Sequence, residues 1–395
     1  MKALEVKKGT YWVGAQDPDL RVFDIIMYTE YGTSYNSYIV KGSDKTALFE
    51  TAKNKFKDDW FARIEDVTSY EDIDYIILDH TEPDHAGSLE FIVDKCPNAT
   101  VIGSTSAVNY LKDITNKPFK FQAVKDGDEI SLGDKTIRFY LVPFLHWPDS
   151  MYSYVVEDKT LITCDSFGCH YSDDRVFNDL IEGDFLDAYK YYFDMIMGPF
   201  KPYVLKALNK IKDLEVDTVC PGHGPVLRED IKKYMDLYRE WATTIEREKG
   251  SIVIAYVSAY GYTEKLAKRI AEGIESVSDY DVLTYDMVTS DQDDVLKEIN
   301  MAKGLLLGSP TIVADALPPI WGILTSLNPV INKGLISGAF GSYGWSGEAV
   351  PNIEGRLKQL KFKIPVEGLR IKFNPSKSDL EKAFEFGVQF GNEVK

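Results

Sequence analysis

The pattern of apolar and polar positions is clearest in the last third of the chain. Residues 252–257 form a continuous apolar run, followed by a short loop of hydroxyl-bearing residues and glycine and by a helical pattern over 264–274. Such runs are typical of strands buried on both faces of a parallel sheet. Strand and helix patterns then alternate, with strands predicted at 282–285, 304–308, 335–340 and 369–373, and helices predicted at 293–301, at 319–327, after Gly347 and from Ser378. Five strands separated by helices predict a doubly wound parallel sheet.

The first part of the chain is rich in strand patterns. Short strands are predicted from 11 to 47, with a polar turn at 32–34, and a helical stretch follows over 55–64. Further on, the helical patterns cover 177–212 and 229–248, and a charged stretch that ends in glycine follows the second of them. We therefore predict two domains, with residues 1–249 in the first and 250–395 in the second.

Metal-binding residue types follow four apolar strands of the first domain. The run 75–78 is followed by four such residues, His80, Glu82, Asp84 and His85. Each of the other three strands is followed by one: His146 after 137–142, Asp165 after 159–164 and His223 after 216–220. Ligands collect at strand ends in open α/β folds, and an extended loop would aim His80, Glu82 and Asp84 at one place. A single histidine at a strand end is more often a satisfied polar residue. However, four of the five histidines lie at these positions, so we expect a site for a hard-to-borderline metal.

Composition narrows the classes of protein that fit. The formal net charge is -17, which argues against nucleic acid or an anionic membrane as a partner. The first residues lack the apolar core of a signal peptide, and no apolar run approaches a membrane-spanning length. The four cysteines form no CxxC pair, which excludes a rubredoxin-like or zinc-ribbon module within the chain and fits a reducing cytoplasm.

The loop after the run 252–257 has the features of a phosphate site. A strand, a loop with hydroxyl groups and a helix N-terminus direct backbone N–H groups and the helix dipole at an anion. Neither GxxxxGK[ST] nor GxGxxG is present, and the loop has no basic residue, so it suits a phosphate monoester such as that of FMN. The loops after the third and fourth strands would flank the flavin ring at the switch point of the sheet. The predicted flavin-binding residues are Ser258, Ala259, Tyr260, Gly261, Tyr262, Thr263, Ser309, Pro310, Thr311, Ser342, Tyr343, Gly344, Trp345 and Gly347.

The motifs of both halves resemble known families. The first domain resembles the metallo-β-lactamase superfamily in the order of its motifs, which are HxExDH, HWPDS, Asp165 and PGHGP. Hydrolases of that superfamily usually carry histidine at the position of Glu82, so the chain is similar to the flavodiiron proteins in particular. The last third resembles flavodoxin, although Tyr260 stands where a threonine or serine is usual. The resemblance implies an α/β multidomain chain: an N-terminal metallo-β-lactamase-like αβ/βα sandwich followed by a flavodoxin-like doubly wound parallel five-stranded sheet.

The same resemblance implies roles for the site residues. His80, Glu82 and His146 would hold one iron, Asp84 and His223 the other, and Asp165 would bridge them. His85 would lie beside the metals without binding them, although a role as a ligand is left open. His170 either lines the site or is an ordinary loop histidine, and Trp147 would keep the pocket dry.

A flavodiiron protein would reduce O2 to water, NO to N2O, or both, with FMN returning electrons to two non-haem irons. Electrons would come from rubredoxin or another external donor, and a head-to-tail homodimer or a dimer of dimers would bring FMN of one chain to the irons of another. Two alternatives remain: a zinc-dependent hydrolase of the metallo-β-lactamase fold with a flavodoxin module, and an electron-transfer flavoprotein whose first domain is a docking scaffold. The sequence does not rank O2 against NO.

Overall fold

The computed structural model describes residues 2–24, 27–243 and 249–394. The chain divides into two compact units, Met1–Thr244 and Ile245–Lys395. The boundary at 249/250 stays a prediction. The end of the predicted helix 229–248 and the first two residues of the charged stretch, 247 and 248, lie outside the described residues. In the described ranges, no helix has the length and apolarity needed to cross a membrane.

The described residues of the first unit form two large sheets and two small two-stranded sheets, β3-β6 and β4-β5. Its strands are β1 (Leu4–Lys7), β2 (Thr10–Trp12), β3 (Ala15–Asp17), β4 (Val22–Phe23), β5 (Met27–Tyr28), β6 (Thr33–Tyr35), β7 (Tyr38–Lys41), β8 (Thr46–Phe49), β9 (Ile73–Ile77), β10 (Thr100–Ser104), β11 (Phe121–Val124), β12 (Glu129–Ser131), β13 (Thr136–Leu141), β14 (Met151–Val155), β15 (Thr160–Cys164) and β16 (Thr218–Pro221). Its α-helices are α1 (Lys57–Val67), α2 (Pro83–Ala86), α3 (Leu89–Lys95), α4 (Thr105–Thr115), α5 (Leu186–Tyr192), α6 (Lys201–Lys210) and α7 (Ile231–Ala242). One sheet has the order β1-β2-β7-β8-β9-β10-β11 and the other β12-β13-β14-β15-β16.

The two sheets pack face to face because their strands are apolar on both sides. Along β7 and β9, Val40 and Ile77 belong to the cluster shared with Phe139 and Ile162 of the other sheet. Their neighbours Ile39 and Ile76 point to the opposite face and join the cluster that contains α1 and α7 residues. This period of two explains why the strands appear in the sequence as continuous apolar runs.

Three local predictions in this unit need correction. Residues 33–35 form β6 rather than a turn, because they pair with β3. The helices of the stretch 177–212 begin only at Leu186, since Phe177 forms a bridge with Val226 instead. The loop 80–84 is not fully extended, because Pro83 starts α2 and turns the chain.

The second unit is a single parallel sheet with helices. Its strands are β17 (Ser251–Tyr256), β18 (Asp281–Asp286), β19 (Gly304–Gly308), β20 (Ile336–Tyr343) and β21 (Leu369–Lys372), and its helices are α8 (Tyr262–Glu275), α9 (Gln292–Met301), α10 (Pro318–Ser326), α11 (Ala349–Gln359) and α12 (Lys377–Glu393). The sheet order is β18-β17-β19-β20-β21, and every pairing is parallel. The order reverses beside β17, so the carboxyl ends of β17 and β19 border the switch point where such sheets bind ligands.

Candidate functional site

Three loops that follow strands of the first unit bring one group of metal-binding side chains together. His80, Glu82, His146 and Asp165 each place one ligand atom within 4.8 Å of the others. Glu82 Oε2 lies 2.9 Å from His146 Nε2 and 3.3 Å from His80 Nε2. Asp165 Oδ2 lies 3.3 Å from His146 Nε2 and 3.4 Å from His80 Nε2. Two imidazole nitrogens and two carboxylate oxygens therefore surround one point.

A second group lies on the other side of Asp165. Asp84, His85 and His223 again place ligand atoms within 4.8 Å of one another. Asp84 Oδ2 is 3.1 Å from His223 Nε2, and Asp165 Oδ1 is 3.1 Å from His85 Nε2 and 3.6 Å from His223 Nε2. The two oxygens of Asp165 thus face different groups, which is the position of a bridging carboxylate. The turn of α2 explains why Asp84 joins this group while His80 and Glu82 join the first.

Charge interactions of Asp165 with histidines of both groups link the two groups. Burial would raise the pKa of Asp165, but His85 and His146 outweigh it and hold the pKa well below its ordinary value. Burial would likewise lower the pKa of His146, yet hydrogen bonds with Asp165 and Glu82 raise it to about 9. Because these carboxylates and imidazoles are buried or, for Glu82 and His146, partly buried, each depends on neighbours of opposite charge or on a cation.

These side chains fit a pair of metal ions. Among the described residues, both carboxylate oxygens of Asp84 and Oδ2 of Asp165 are buried without a hydrogen-bond partner. Their distances to the imidazole nitrogens are short, but the groups converge on common points instead of aligning as donor and acceptor pairs. Four imidazoles and three carboxylates suit hard-to-borderline metals such as iron, and no cysteine belongs to either group.

The predicted flavin site lies at the carboxyl ends of three adjacent strands, β17, β19 and β20. Ser258 Oγ accepts a hydrogen bond from the Glu264 N–H at 3.2 Å, and Gly261 has φ +76° at the start of α8. The hydroxyls of Thr263 and Ser342 are 3.0 Å apart, so the phosphate loop is tied to the loop after β20. A helix N-terminus preceded by a loop that has hydroxyl groups and no lysine or arginine fits a phosphate monoester.

The remaining predicted flavin residues lie in the same loops. The Thr311 N–H donates to the carbonyl oxygen of Ser342 at 2.9 Å, which joins the loops after β19 and β20. Tyr260 and Trp345 are 80% and 98% exposed, so both aromatic rings are free to cover a ligand. Two exposed apolar residues at this edge were not predicted: Val313 in the loop after β19 and Phe373 after β21. Their apolar character alone does not separate them from buried positions in the sequence.

The comparisons with known proteins agree with both halves of this structure. A family model described as ODP family beta lactamase matches residues 33–224, and a flavodoxin model matches residues 254–387. The chain is 42% identical to flavo-diiron protein FprA2 of Clostridium acetobutylicum, with all of both chains covered. It is 36% identical to a nitric oxide reductase of Moorella thermoacetica, with 98% of each chain covered. The chain belongs to the flavodiiron protein family.

A solved structure leads to the same family. The rubredoxin oxygen:oxidoreductase of Desulfovibrio gigas has a TM-score of 0.67 at 30% identity, with 99% of this chain and 98% of that chain covered. The predicted fold class, a metallo-β-lactamase-like sandwich followed by a flavodoxin-like sheet, is confirmed. The predictions of an oxidoreductase, and of FMN and two irons as its cofactors, are confirmed as well.

Several residues around the flavodiiron site were not predicted from sequence. Asp149 Oδ2 lies 3.3 Å from His80 Nδ1 and accepts hydrogen bonds from the Thr81 N–H and hydroxyl, each at 2.8 Å. The carbonyl oxygen of Ser34 lies 2.6 Å from His223 Nδ1. Such contacts fix the ring orientation of a ligating histidine. Only the position of Asp149 inside the HWPDS stretch hinted at its role.

Tyr192 is the clearest of the missed residues. Its hydroxyl donates to Asp165 Oδ1 at 2.9 Å, whereas the aromatic stripe that contains it was interpreted as core or interface. Tyr192 is the last residue of α5, and the π-helical turn Phe193–Met197 follows it. The Tyr192 ring is buried in the core as the stripe predicted, and the pattern gave no sign that its hydroxyl also reaches the metal centre.

The three predicted catalytic residues all lie at the site. His85 is fully buried, with Nε2 near Asp165. Trp147 packs edge-on against His80 and His146, with ring centroids 5.2 and 6.2 Å apart. His170 is buried against Phe23 at 4.3 Å, and its Nδ1 lies 2.9 Å from the Thr33 hydroxyl. Burial lowers the pKa of His170 well below its ordinary value, so this ring is neutral.

Proposed function

We propose that this flavodiiron protein reduces O2 to water, NO to N2O, or both, at a non-haem diiron site that FMN supplies with electrons. The observation that carries the proposal is the pair of ligand groups that share Asp165. Two reducible metals held this close suit a diatomic substrate, because each atom of the substrate can meet one metal. The relatives named as a nitric oxide reductase and as a rubredoxin oxygen:oxidoreductase support both substrates.

In this proposal His80, Glu82 and His146 hold one iron, Asp84 and His223 hold the other, and Asp165 lies between them. When bound, the two irons supply electrons to the substrate, and FMN restores those electrons. Glu82 in place of a histidine adds a hard oxygen and negative charge, which favours iron over zinc. The grouping of ligand atoms around two shared points supports this assignment, although His85 also belongs to the second group.

The neighbouring residues control orientation, water and protons. Thr33 Oγ1 lies 2.9 Å from His170 Nδ1, and His170 Nε2 is a buried atom with no partner among the residues described. We assign His170 Nε2 the role of forming a hydrogen bond with a substrate beside His223, whose ring centroid is 5.1 Å away. Trp147 covers the rings of His80 and His146 and excludes water from that side.

FMN binding is assigned to the loops 258–263, 309–311 and 342–347. The hydroxyls of Ser258 and Thr263 and the start of α8 take the phosphate, while Tyr343 and Trp345 contact the ring. Rubredoxin or another external protein delivers electrons to FMN, and a head-to-tail homodimer or dimer of dimers pairs each flavin with the irons of another chain. The physiological role is detoxification of O2 or NO in the cytoplasm.

The first experiment is to measure metal and FMN per chain in protein prepared without oxygen. Two irons and one FMN, followed by rapid consumption of O2 or NO by the reduced protein, are the expected results. Zinc that persists after growth in iron-rich medium would point to a hydrolase instead. A reduced, iron-loaded protein that consumes neither gas would refute the proposed reaction.

The assembly has its own test. A variant that stays monomeric should keep iron and FMN but lose turnover, because its flavin no longer meets a partner's irons. Size-exclusion chromatography together with gas-consumption rates measures both properties. Full activity in a monomer would refute the head-to-tail arrangement.

A further inference from the structure

Tyr238 is a buried tyrosine beside the loop that carries the shared carboxylate. Its hydroxyl accepts a hydrogen bond from the N–H of Phe167, which follows Asp165 by two residues, at 2.8 Å. The rings of Tyr238 and Phe167 also pack together, with their centroids 4.5 Å apart. Tyrosine is one of the few side chains that can give up an electron, and the proposed function leaves this one without a role.

A continuous series of aromatic rings joins Tyr238 to Trp241. The ring centroids of Tyr238 and Tyr189 are 5.3 Å apart, and those of Tyr189 and Trp241 are 5.6 Å apart. Tyr238 also lies 6.3 Å from Trp241 directly, and the Phe193 ring packs against both of them at 4.9 and 5.3 Å. All these pairs lie within the range of direct ring contact, about 4.5–7 Å. An electron that passes from Trp241 to Tyr238 therefore has no wide gap to cross.

Trp241 is the point at which this series reaches solvent. Tyr189 and Tyr238 are 0% and 1% exposed, whereas Trp241 is partly exposed. Lys190 Nζ lies 5.3 Å from the centre of the Trp241 ring, and a lone cation there would oppose the loss of an electron. However, the same Nζ pairs with Asp194 Oδ1 at 2.6 Å, so the ring faces an ion pair. Trp241 can thus meet a small reductant from solution.

We propose that Tyr238, Tyr189 and Trp241 form an electron path that protects the metal centre when FMN does not deliver its electrons in time. The proposal rests on the proposed reduction of O2 at the diiron site. Reduction of O2 to water takes four electrons; when bound, the two irons supply two of them and FMN the other two. Without the flavin electrons, the missing electrons are drawn from protein side chains. A path to the surface keeps that oxidation away from the metal ligands.

A thiol in solution completes the electron balance. Trp241 passes one electron inward and releases the proton of its indole nitrogen to solvent, which leaves a neutral radical. Each tyrosine regains from the next ring the electron that it passes on, so both tyrosines end unchanged. A thiol then returns one electron and one proton to Trp241, and two of the resulting thiyl radicals combine to a disulfide. Two thiols therefore replace the two electrons that FMN would supply for each O2.

The experiment gives the iron- and FMN-loaded protein two reducing equivalents per chain, half of what one O2 consumes, and then mixes it with O2 and catalase. Rapid-freeze EPR detects organic radicals, and peptide mass spectrometry locates oxidised side chains. We expect a protein radical and an oxygenated Trp241. Four equivalents per chain should suppress both, and an added thiol should remove the radical and yield disulfide.

Variants trace the path through the protein. Tyr238→Phe should bind iron and FMN but lose the oxidation of Trp241, because phenylalanine fills the same space and is not oxidised. Trp241→Phe should keep the rate of O2 consumption under full electron supply, and its radical should show the EPR pattern of tyrosine. Trp60→Phe is the matched control and should behave like the wild type. Trp60 is fully buried in the same unit, and in the described ranges no ring contact joins it to Tyr238.

Three results would overturn the path. The first is the absence of both a radical and an oxidised Trp241 in protein that holds two irons and consumes O2. The second is equal oxidation of Trp241 in Tyr238→Phe and in the wild type. The third is oxidation of Trp241 in zinc-loaded protein, which would assign it to oxidants in solution.

Failure of the proposed function gives a different result, because protein with two irons would then consume no O2 even with full electron supply. If Tyr238→Phe does not fold, the wild type and Trp241→Phe still decide whether the path exists. A Trp241→Phe variant without a tyrosine radical would show that no oxidation passes through the buried rings.

Discussion

The crossing of α8 and α12 offers a prediction that links packing to flavin binding. A Cβ added to Gly387 of α12 would lie 2.2 Å from the Ile270 carbonyl oxygen of α8. That distance is shorter than any normal contact by about 1 Å or more, so the helices must separate. Gly387→Ala should therefore destabilise the second unit by overpacking, by about 1–3 kcal/mol. Because α8 begins at the phosphate loop, FMN affinity should fall in the same variant.

Gly355 in α11 is the matched control, because a Cβ there meets no atom within 4 Å. Both substitutions replace a helical glycine by alanine, so the gain of about 1 kcal/mol in helix propensity is common to both variants. The difference between them reports the clash alone. For a unit of this size, about 1–3 kcal/mol corresponds to a Tm difference of about 2–12 °C.

The assay is thermal unfolding of the full chain at a fixed excess of FMN, followed by the fluorescence of released flavin. The FMN concentration is held constant because bound ligand raises the apparent stability. Gly355→Ala should release flavin at or above the wild-type temperature, and Gly387→Ala clearly below it. Equal temperatures for the two variants would refute the close approach of α8 and α12 as a packing constraint.

Three further predictions concern the metal centre and a helix cap. Asp149→Asn should weaken iron binding about 10–100-fold by freeing the His80 ring, as measured by iron retention against a chelator; unchanged retention would contradict that role. Tyr192→Phe should keep both irons but change their EPR spectrum, because it removes a hydrogen bond to the shared carboxylate; an identical spectrum would refute the contact. Ser376→Ala should lower stability by about 1 kcal/mol through loss of the α12 cap. Hydrogen bonds from the cap lower the pKa of Asp379 to about 2. The ionised Asp379 therefore stabilises the fold above about pH 4, and this contribution is lost as the pH falls towards 2. In denaturant titrations, the free energy of unfolding should fall less between pH 4 and pH 2 in Ser376→Ala than in the wild type.

The sequence predicted the metal-binding residues because they lie directly after strands. Each predicted ligand follows an apolar run, and such runs are visible without knowledge of the tertiary fold. The apolar runs did not show which ligands lie in which of the two groups. Pro83 starts a helical turn that sends Asp84 to a different group from Glu82, while alternation in an extended loop would have put both in one.

The residues that support the ligands were harder to predict, because only the folded chain brings them to the site. Tyr192 reaches Asp165 from 27 positions away, and Glu50 approaches His85 from another strand end. In the sequence, Tyr192 is one of many aromatic residues in a helical stretch. A fully buried acid such as Glu50 is equally hard to distinguish, since glutamate is usually a surface residue.

Four of the thirteen described non-glycine residues with positive φ lie around the metal centre. Glu50, Phe144, Cys164 and Phe167 have positive φ between 47° and 69°, and each lies in a loop or strand end beside the metal centre. A shift in register between β15 and β16 occurs next to Cys164, which re-aims the following residue, Asp165. Residues other than glycine adopt such angles at a cost of about 1–3 kcal/mol each, and they persist only where the surrounding structure fixes them. At these positions glycine would relieve the backbone but remove the side chain, so the strain reflects the requirement for a side chain at each point.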